Sequence, residues 1–381
     1  MSSCFMIRST SLLFVFILCG CGEGFQSKSL SSFNDSYFSN SSSKSFLRPG
    51  EEVRSDCQLT SELCVYLKNP VSQTGRVVEP NDKEALGAAQ NFSVSISGLD
   101  RSGKVKNSNF DVKSISGSQV SLDQLATSKG VSSESDLIPL TASAFFWLHR
   151  AHEYLKNNYE SYPSLNTPIT VYVDDAFNGW SFEQKSLHLN LNKRSALSGE
   201  VVLLLFGEAQ IGIASQGEIY KASPGLHKVC GGDSKGCCQS SSGCSQAILR
   251  GAGDSFVDFF FKDLSGVGEF QSQSLEGQKV CEKARRPEEF VAFTFQQAYD
   301  LCPSKKGSSL ALGMAYSSIW FELRKEFDPQ VVERIFLKHL ESLNGSDDFN
   351  SSSLKAQEAA NELGQPAVSQ GIKDHFSRRL K

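Results

Sequence analysis

Short runs of alternating or β-branched residues dominate the part of the chain that begins near residue 51. They lie at Leu63–Leu67, Phe92–Ile96, Phe110–Ile115 and Val120–Leu122. Turn-forming residues separate these runs, as at Asn69-Pro70. Because strand side chains alternate between two faces, such runs bounded by turn residues predict strands. The pattern therefore indicates a β-rich region over residues 51–135.

From residue 136 onward, the apolar residues recur at the spacing of helices. In the segment Thr141–Tyr159, the side chains of Phe145, Leu148, His152 and Leu155 fall on one helix face. Residues three and four apart are neighbours on a helix surface, so this spacing predicts an amphipathic helix.

Two later segments, Ser198–Ile213 and Ala247–Leu264, are mostly apolar and also predict helices. Ser198 is a candidate N-cap, with Glu200 in the first turn. Further helices are expected at residues 288–300, 307–326, 328–343 and 354–378, and strands at Ile169–Val173 and Leu187–Leu191. This order predicts an α+β fold: a small N-terminal β-rich region, then a mainly helical domain over residues 136–381 that contains a small sheet.

The first 20 residues have the pattern of a secretory signal peptide. Arg8 is the only charged residue before Glu23, and Leu12–Leu18 is an apolar run too short to span a membrane. The sequence Leu18–Cys21 resembles a bacterial lipobox. This resemblance implies cleavage after residue 20 and a lipid on Cys21, in the cell envelope. Ordinary signal cleavage without a lipid is the alternative.

The segment that follows, residues 21–50, is rich in serine and predicts a disordered tether between a membrane and a folded domain. Gly22 is not the aspartate that marks inner-membrane retention in some enteric bacteria. We therefore expect the outer membrane or a periplasm-facing membrane surface. The net charge is −4 and no basic stripe is present, which argues against a nucleic-acid partner.

Cysteine usage also indicates an exported protein. Eight cysteines remain after the signal peptide and Cys21 are set aside, and an even number in an oxidising compartment suggests disulfides. The candidates are Cys57, Cys64, Cys230, Cys237, Cys238, Cys244, Cys281 and Cys302. Cys57 and Cys64 form the simplest local pair, and the middle four would form two bridges inside a Cys-rich loop at residues 222–245. A four-thiolate zinc knuckle is the alternative for those four.

Four segments resemble the catalytic domain of thermolysin-like and fungalysin-like zinc metallopeptidases. Residues 145–155 are similar to the family's opening helix, and residues 201–211 to its metal-binding helix. Residues 253–260, Gly-Asp-Ser-Phe-Val-Asp-Phe-Phe, are similar to the second metal helix, and residues 311–324 to a later one. The resemblance covers about residues 137–345 and implies a thermolysin-like helical domain with a small sheet.

The resemblance also shows what this chain lacks. In the family, two histidines of a His-Glu-x-x-His helix bind zinc, the intervening glutamate acts as base, and a glutamate on the next helix is the third ligand. Here the histidine positions hold Gly207 and Ile211, Glu208 keeps the base position, and Asp254 replaces the third ligand. Asp258 keeps the position that orients a ligand histidine. The resemblance therefore implies a pseudo-peptidase, with no metal and no cofactor.

More ordinary roles are expected for these acidic residues and for the histidines. Glu208 would be a hydrogen-bonded helix residue, and Asp254 and Asp258 would cap a helix or pair with arginine or lysine. We expect His149 and His152 to have structural roles, and His188 to be an exposed histidine at a sheet edge. The remaining three have no visible partner in the sequence: His227, His339 and His375.

Three functions remain open at this point. The first is a non-catalytic envelope lipoprotein that binds a protein or peptide. The binding site would be the Cys-rich loop or the cleft that holds the peptide substrate in the family that the chain resembles. The second is a divergent, active zinc metalloendopeptidase in which His188 or His227 supplies a replacement ligand near Glu208 and Asp254. The third is a purely structural envelope protein.

Overall fold

The computed structural model describes residues 102–127, 137–159, 162–220, 241–261, 287–301 and 305–380, together with Leu63–Val65, Phe92–Val94 and four single positions up to residue 99. All of these residues belong to one compact unit, Ser45–Lys381. The segments predicted as a signal peptide and a Ser-rich tether, with Cys21 between them, lie outside the described residues. So do most of the Cys-rich loop, including His227, and the end of the helix predicted to reach Leu264.

The described part of the chain is mostly helical. Its nine α-helices are α1 (Leu122–Thr127), α2 (Leu137–Asn158), α3 (Gly199–Ala214), α4 (Ser241–Phe261), α5 (Phe295–Leu301), α6 (Lys305–Glu326), α7 (Pro329–Ser342), α8 (Phe349–Glu362) and α9 (Pro366–Arg379). None of them is long and apolar enough to cross a bilayer.

A small mixed sheet accompanies the helices. Its strands are β3 (Phe110–Lys113), β4 (Ile169–Asp175), β5 (Gly179–Ser181) and β6 (Ser186–Asn190), in the spatial order β3-β4-β6-β5. The strands β3, β4 and β6 are parallel, and β5 is antiparallel to β6. The α+β class is therefore confirmed. Since β3 pairs with β4, the sheet crosses the domain boundary expected at residues 135–136.

Two more strands lie earlier in the chain, β1 (Leu63–Val65) and β2 (Phe92–Val94), which form an antiparallel pair. The strand predicted at Val120–Leu122 is reduced to an isolated antiparallel bridge between Ser121 and Lys104, because α1 begins at Leu122. The backbone N–H of Ser121 donates to Gln124 Oε1, and the Gln124 N–H donates to Ser121 Oγ. This reciprocal pair is a capping box, which starts a helix at the place where the apolar pattern indicated a strand.

Helix α3 lies at the centre of the core, since every residue in it except Ile213 is buried. A helix that is apolar around its whole circumference must be covered on all sides. It packs against α2, α4 and the sheet strands β5 and β6. Ser198 precedes α3 as predicted, but its hydroxyl donates to Glu200 Oε2 at 2.8 Å rather than accepting from the backbone.

Two helix boundaries near the C-terminus differ from the predicted ones. The helix expected at 288–300 is a 3₁₀ turn at Pro287–Phe290 followed by α5, which a Thr294–Gln297 capping box begins. The helix expected at 354–378 is the pair α8 and α9. Gly364 separates them with a φ of +69°, and Pro366 occupies the first turn of α9.

Candidate functional site

The positions that match the metallopeptidase motif lie where α3 crosses α4, and the two helices touch there backbone to backbone. A Cβ atom added to Gly207 would lie 3.0 Å from Phe256 Cβ and 3.2 Å from Gly253 Cα. A Cβ on Gly253 would lie 2.9 Å from Leu204 Cδ1. Glycine at both positions permits this approach, and it leaves no volume for an imidazole at residue 207.

The glutamate at the base position is neutralised by an arginine. Glu208 is 3% exposed, and its Oε1 accepts a hydrogen bond from Arg250 Nη1 at 2.5 Å. Arg250 lies on α4, so this ion pair joins the two helices. A buried carboxylate needs such a partner, because an isolated charge in the interior carries a large desolvation penalty. The guanidinium supplies positive charge at the carboxylate that would act on a metal-bound water in the family.

The two aspartates on α4 are both buried, Asp254 at 0% exposure and Asp258 at 9%. Asp258 pairs with a basic residue, as the sequence suggested. Its Oδ2 accepts from Arg324 Nη1 at 2.6 Å, and its carbonyl oxygen accepts from the same nitrogen at 3.1 Å. In the family, the carboxylate at this position orients a histidine that binds the metal. Here the carboxylate of Asp258 contacts Arg324 of α6 instead.

Arg324 extends this contact into a buried network of four helices. Its Nε lies 3.8 Å from Glu333 Oε1 on α7, and its guanidinium lies over the ring of Phe259. The other carboxylate oxygen of Glu333 accepts hydrogen bonds from Tyr154 at 2.5 Å and Tyr159 at 2.7 Å. Burial, and then the charge of Glu333, raise the pKa of the Tyr154 hydroxyl far above its ordinary value, so this tyrosine stays a hydrogen-bond donor.

The residues at the motif positions do not fit a zinc ion. Gly207 and Ile211 carry no donor atom, and Ile211 is fully buried in the core. The part of the chain that the structure describes contains no group of three His, Cys, Asp or Glu side chains that could hold a metal. We therefore derive no chemical step through zinc.

His149 and His152 lie on α2, away from this crossing. The ring of His149 stacks on Phe145, and its Nε2 lies 3.4 Å from Glu153 Oε1. His152 Nε2 donates to the carbonyl oxygen of Leu165 at 2.9 Å. The His152 contact joins α2 to the segment that follows it, whereas the contacts given for His149 lie within α2, and both sets are structural in kind.

His188 differs from the exposed edge histidine that we expected, because it is only 5% exposed. Its Nδ1 lies 2.7 Å from Asp175 Oδ2, and its Nε2 lies 2.8 Å from Ser186 Oγ. The ring is stacked on Phe177. Strand β5 covers one side of β6, so β6 is not the edge of the sheet. Ser186 and His188 are two residues apart on a strand, so their side chains lie on the same face of the sheet. This spacing is visible in the sequence and could have indicated their contact.

The two late histidines also have partners, although the sequence gave no sign of them. His339 is fully buried, and its Nε2 lies 3.0 Å from the Tyr316 hydroxyl and 3.1 Å from Ser352 Oγ. His375 lies 3.0 Å from Glu322 Oε2 through Nδ1 and 3.0 Å from Glu326 Oε2 through Nε2. Both histidines tie the C-terminal helices to α6.

Cys244 is the only one of the eight cysteines whose side chain is described, and it is disulfide-bonded and buried. It lies on α4, which begins at Ser241, so the Cys-rich loop ends earlier than residue 245. Its partner lies outside the described side chains, and the connectivity remains a prediction.

A groove of about 560 Å³ opens where α3 and α7 end. Residues 214–218 line one side of it and residues 341–346 the other. It does not contain any of the motif positions.

No protein-family model matches this chain, and no curated protein matches it either. The function therefore has to be argued from the geometry described above.

Proposed function

We propose that this protein is an envelope-anchored lipoprotein whose domain is a metallopeptidase-like fold with a closed metal site, and that it binds a protein or peptide without hydrolysing it. The observation that carries this proposal is the contact between α3 and α4. Gly207 and Gly253 bring the helix backbones together, and Arg250 neutralises Glu208. All four segments that carry the resemblance lie in helices, and the positions that would bind zinc in the family take part in helix packing here.

The alternative of a divergent, active peptidase has less support. Of its two suggested replacement ligands, His188 uses both ring nitrogens for Asp175 and Ser186. A metal at His188 would have to displace one of these partners. The other, His227, lies outside the described residues.

The first experiment measures zinc and proteolysis in the full-length protein, purified in detergent with zinc in the buffers. We expect far less than one zinc per chain and no casein hydrolysis. Stoichiometric zinc together with chelator-sensitive hydrolysis would contradict the proposal. Glu208→Gln provides the control, because it removes any base at this position while keeping the size of the side chain. Hydrolysis that survives in Glu208→Gln does not use this glutamate as its base.

Peptide binding is proposed at β5, which forms an edge of the four-stranded sheet. An edge strand offers backbone N–H and C=O groups that can pair with an extended peptide. The test is a panel of extended peptides, each compared with a copy that is N-methylated at alternate residues. A peptide that binds through its backbone should lose affinity on N-methylation. Equal binding of both copies would exclude this mode.

Lipid anchoring has its own test, since the chain offers a matched pair of cysteines. In a bacterial host fed with an alkyne fatty acid, the wild-type protein should be labelled, and Cys21→Ser should lose the label. Cys19→Ser should keep it, because Cys19 lies before the expected cleavage point. Labelling that persists in Cys21→Ser would contradict the anchor at this residue.

A further inference from the structure

A continuous chain of hydrogen bonds crosses one face of the four-stranded sheet. It runs from Asp175, at the end of β4, to His188 and then to Ser186, both on β6. The two distances are 2.7 Å and 2.8 Å, both within the range of good hydrogen bonds. This cluster is separate from the α3–α4 crossing.

The carboxylate fixes the proton positions along this chain. An ionised aspartate can only accept hydrogen bonds, so Nδ1 of His188 carries the hydrogen and donates it to Asp175. Nε2 then holds a lone pair and accepts the hydroxyl hydrogen of Ser186. The division of roles is that of serine hydrolases: a carboxylate sets the tautomer, an imidazole is the base and a hydroxyl is the nucleophile.

Other contacts hold the imidazole and the carboxylate in place. The His188 ring is stacked on Phe177 at a centroid distance of 4.9 Å and lies 5.2 Å from the ring of Tyr172. The second oxygen of Asp175 accepts from the backbone N–H of Ala176 at 2.5 Å. The base is thus oriented from both sides as well as through its Nδ1 hydrogen bond.

We infer that Ser186 is a nucleophile towards carboxylic esters, with His188 as its base and Asp175 as the residue that positions the imidazole. This function is independent of the proposed peptide binding and needs no metal. Because aromatic rings surround the imidazole, esters with a small apolar or aromatic group fit the site best.

The reaction requires no further reactant than the ester and water. Ser186 Oγ attacks the carbonyl carbon while its proton passes to His188 Nε2. The bond between the carbonyl carbon and the alcohol oxygen breaks, and the alcohol leaves with the proton from Nε2. An acyl ester of Ser186 remains. Water hydrolyses it to the carboxylic acid, and the serine hydroxyl is restored.

Access to Ser186 depends on two exposed side chains. Ser186 is 1% exposed, and the Gln184 amide oxygen, 3.3 Å from its Oγ, is a second and more distant acceptor for the hydroxyl hydrogen that His188 Nε2 accepts at 2.8 Å. Phe177, which is 54% exposed, covers the imidazole. Exposed side chains change rotamer on the picosecond to nanosecond timescale. The proposed reaction therefore requires Gln184 and Phe177 to rotate so that an ester reaches the hydroxyl.

The test is acylation of the full-length protein by p-nitrophenyl acetate, followed by intact-protein mass spectrometry and peptide mapping. We expect one acetyl group, on Ser186, and none in Ser186→Ala. Ser181→Ala is the matched control, because Ser181 faces Ser186 across β5 and β6 and its hydroxyl accepts a hydrogen bond from the Gln184 N–H rather than from a charged group of the cluster. It should be acetylated like the wild type.

A second variant, His188→Gln, keeps the nucleophile and removes the base. Its acetylation at Ser186 should be slower by about 100-fold or more, the usual contribution of general-base catalysis. Thermal unfolding of each variant establishes that it is folded. The inference is overturned if the wild type gains no acetyl group, if Ser186→Ala is acetylated equally, or if His188→Gln reacts at the wild-type rate. A chelator should not change the rate, which separates this test from that of the closed metal site.

Discussion

His339 should make the stability of this protein depend on pH through a single buried side chain. Its imidazole is fully buried on α7 and is stacked on Trp320. Burial, and then the positive charge of Lys355, lower its pKa from 6.5 to about 3. The folded protein therefore keeps the His339 imidazole neutral at both pH 7 and pH 5.

The size of the effect follows from the two pKa values. Below pH 6.5 the unfolded chain binds a proton at His339 that the folded chain does not bind, so the free energy of unfolding falls as the pH falls. The contribution is fully present above pH 6.5 and is lost progressively down to about pH 3. Between pH 7 and pH 5, His339 alone should remove about 2 kcal/mol.

The variant His339→Gln isolates this contribution. Glutamine can still form hydrogen bonds with Tyr316 and Ser352, but it does not titrate. Urea unfolding gives the free energy of unfolding of both proteins at pH 7 and at pH 5. When the loss between these pH values is compared for the two proteins, the contributions of the other titrating groups cancel. The wild type should lose about 2 kcal/mol more than the variant between these pH values. Equal losses would refute the neutral, buried histidine.

Three other variants test the packing of the helices. Arg324→Met leaves the Asp258 carboxylate buried without its cation, so urea unfolding should show a loss of about 3–5 kcal/mol; an unchanged midpoint would contradict the ion pair. Gly251→Ala should cost about 1–3 kcal/mol, because its Cβ would lie 2.2 Å from the carbonyl oxygen of Gly313 on α6. Gly207→His should destabilise the α3–α4 contact by a similar amount without raising the zinc content, and stoichiometric zinc in this variant would disprove the closed site.

The sequence predicted the long helices well because their signals are local. Helix α3 was expected at Ser198–Ile213 and is found at Gly199–Ala214. Helix α7 follows Asp328, whose side chain accepts from the backbone N–H groups of the first turn, as Asp-Pro sequences predict. For α7, a cap and an apolar run determine the element, whereas for α3 the apolar run is sufficient, because the Ser198 side chain does not cap the helix.

The boundaries that were wrong also had local signals, which the apolar pattern concealed. The pairs Ser121–Gln124 and Thr294–Gln297 are capping boxes. The first begins a helix where the apolar pattern indicated a strand, and the second begins α5 later than the predicted start at residue 288. Likewise, Gly364 and Pro366 divide a stretch in which apolar residues continue at helical spacing on both sides.

The partners of the buried charges could not be predicted in this way. Arg324 lies 66 residues from Asp258, and Tyr154 lies 179 residues from Glu333. No spacing rule joins residues so far apart, because their contact depends on how four helices cross. The same is true of Asp175 and His188, which meet only because β4 and β6 are neighbours in the sheet.

At the α3–α4 crossing, the absence of metal-binding side chains and the absence of space for a metal are two separate findings. The sequence alone shows that Gly207 and Ile211 provide no donor atoms, and a cavity could still remain where the family binds its metal. The structure adds that Gly207 lies against Gly253 and that the carboxylate of Glu208 is paired with Arg250. Restoring both histidines would therefore require the helices to separate and the ion pair to break. The contacts at this crossing contribute to the free energy of folding, so the introduction of metal ligands here would cost stability.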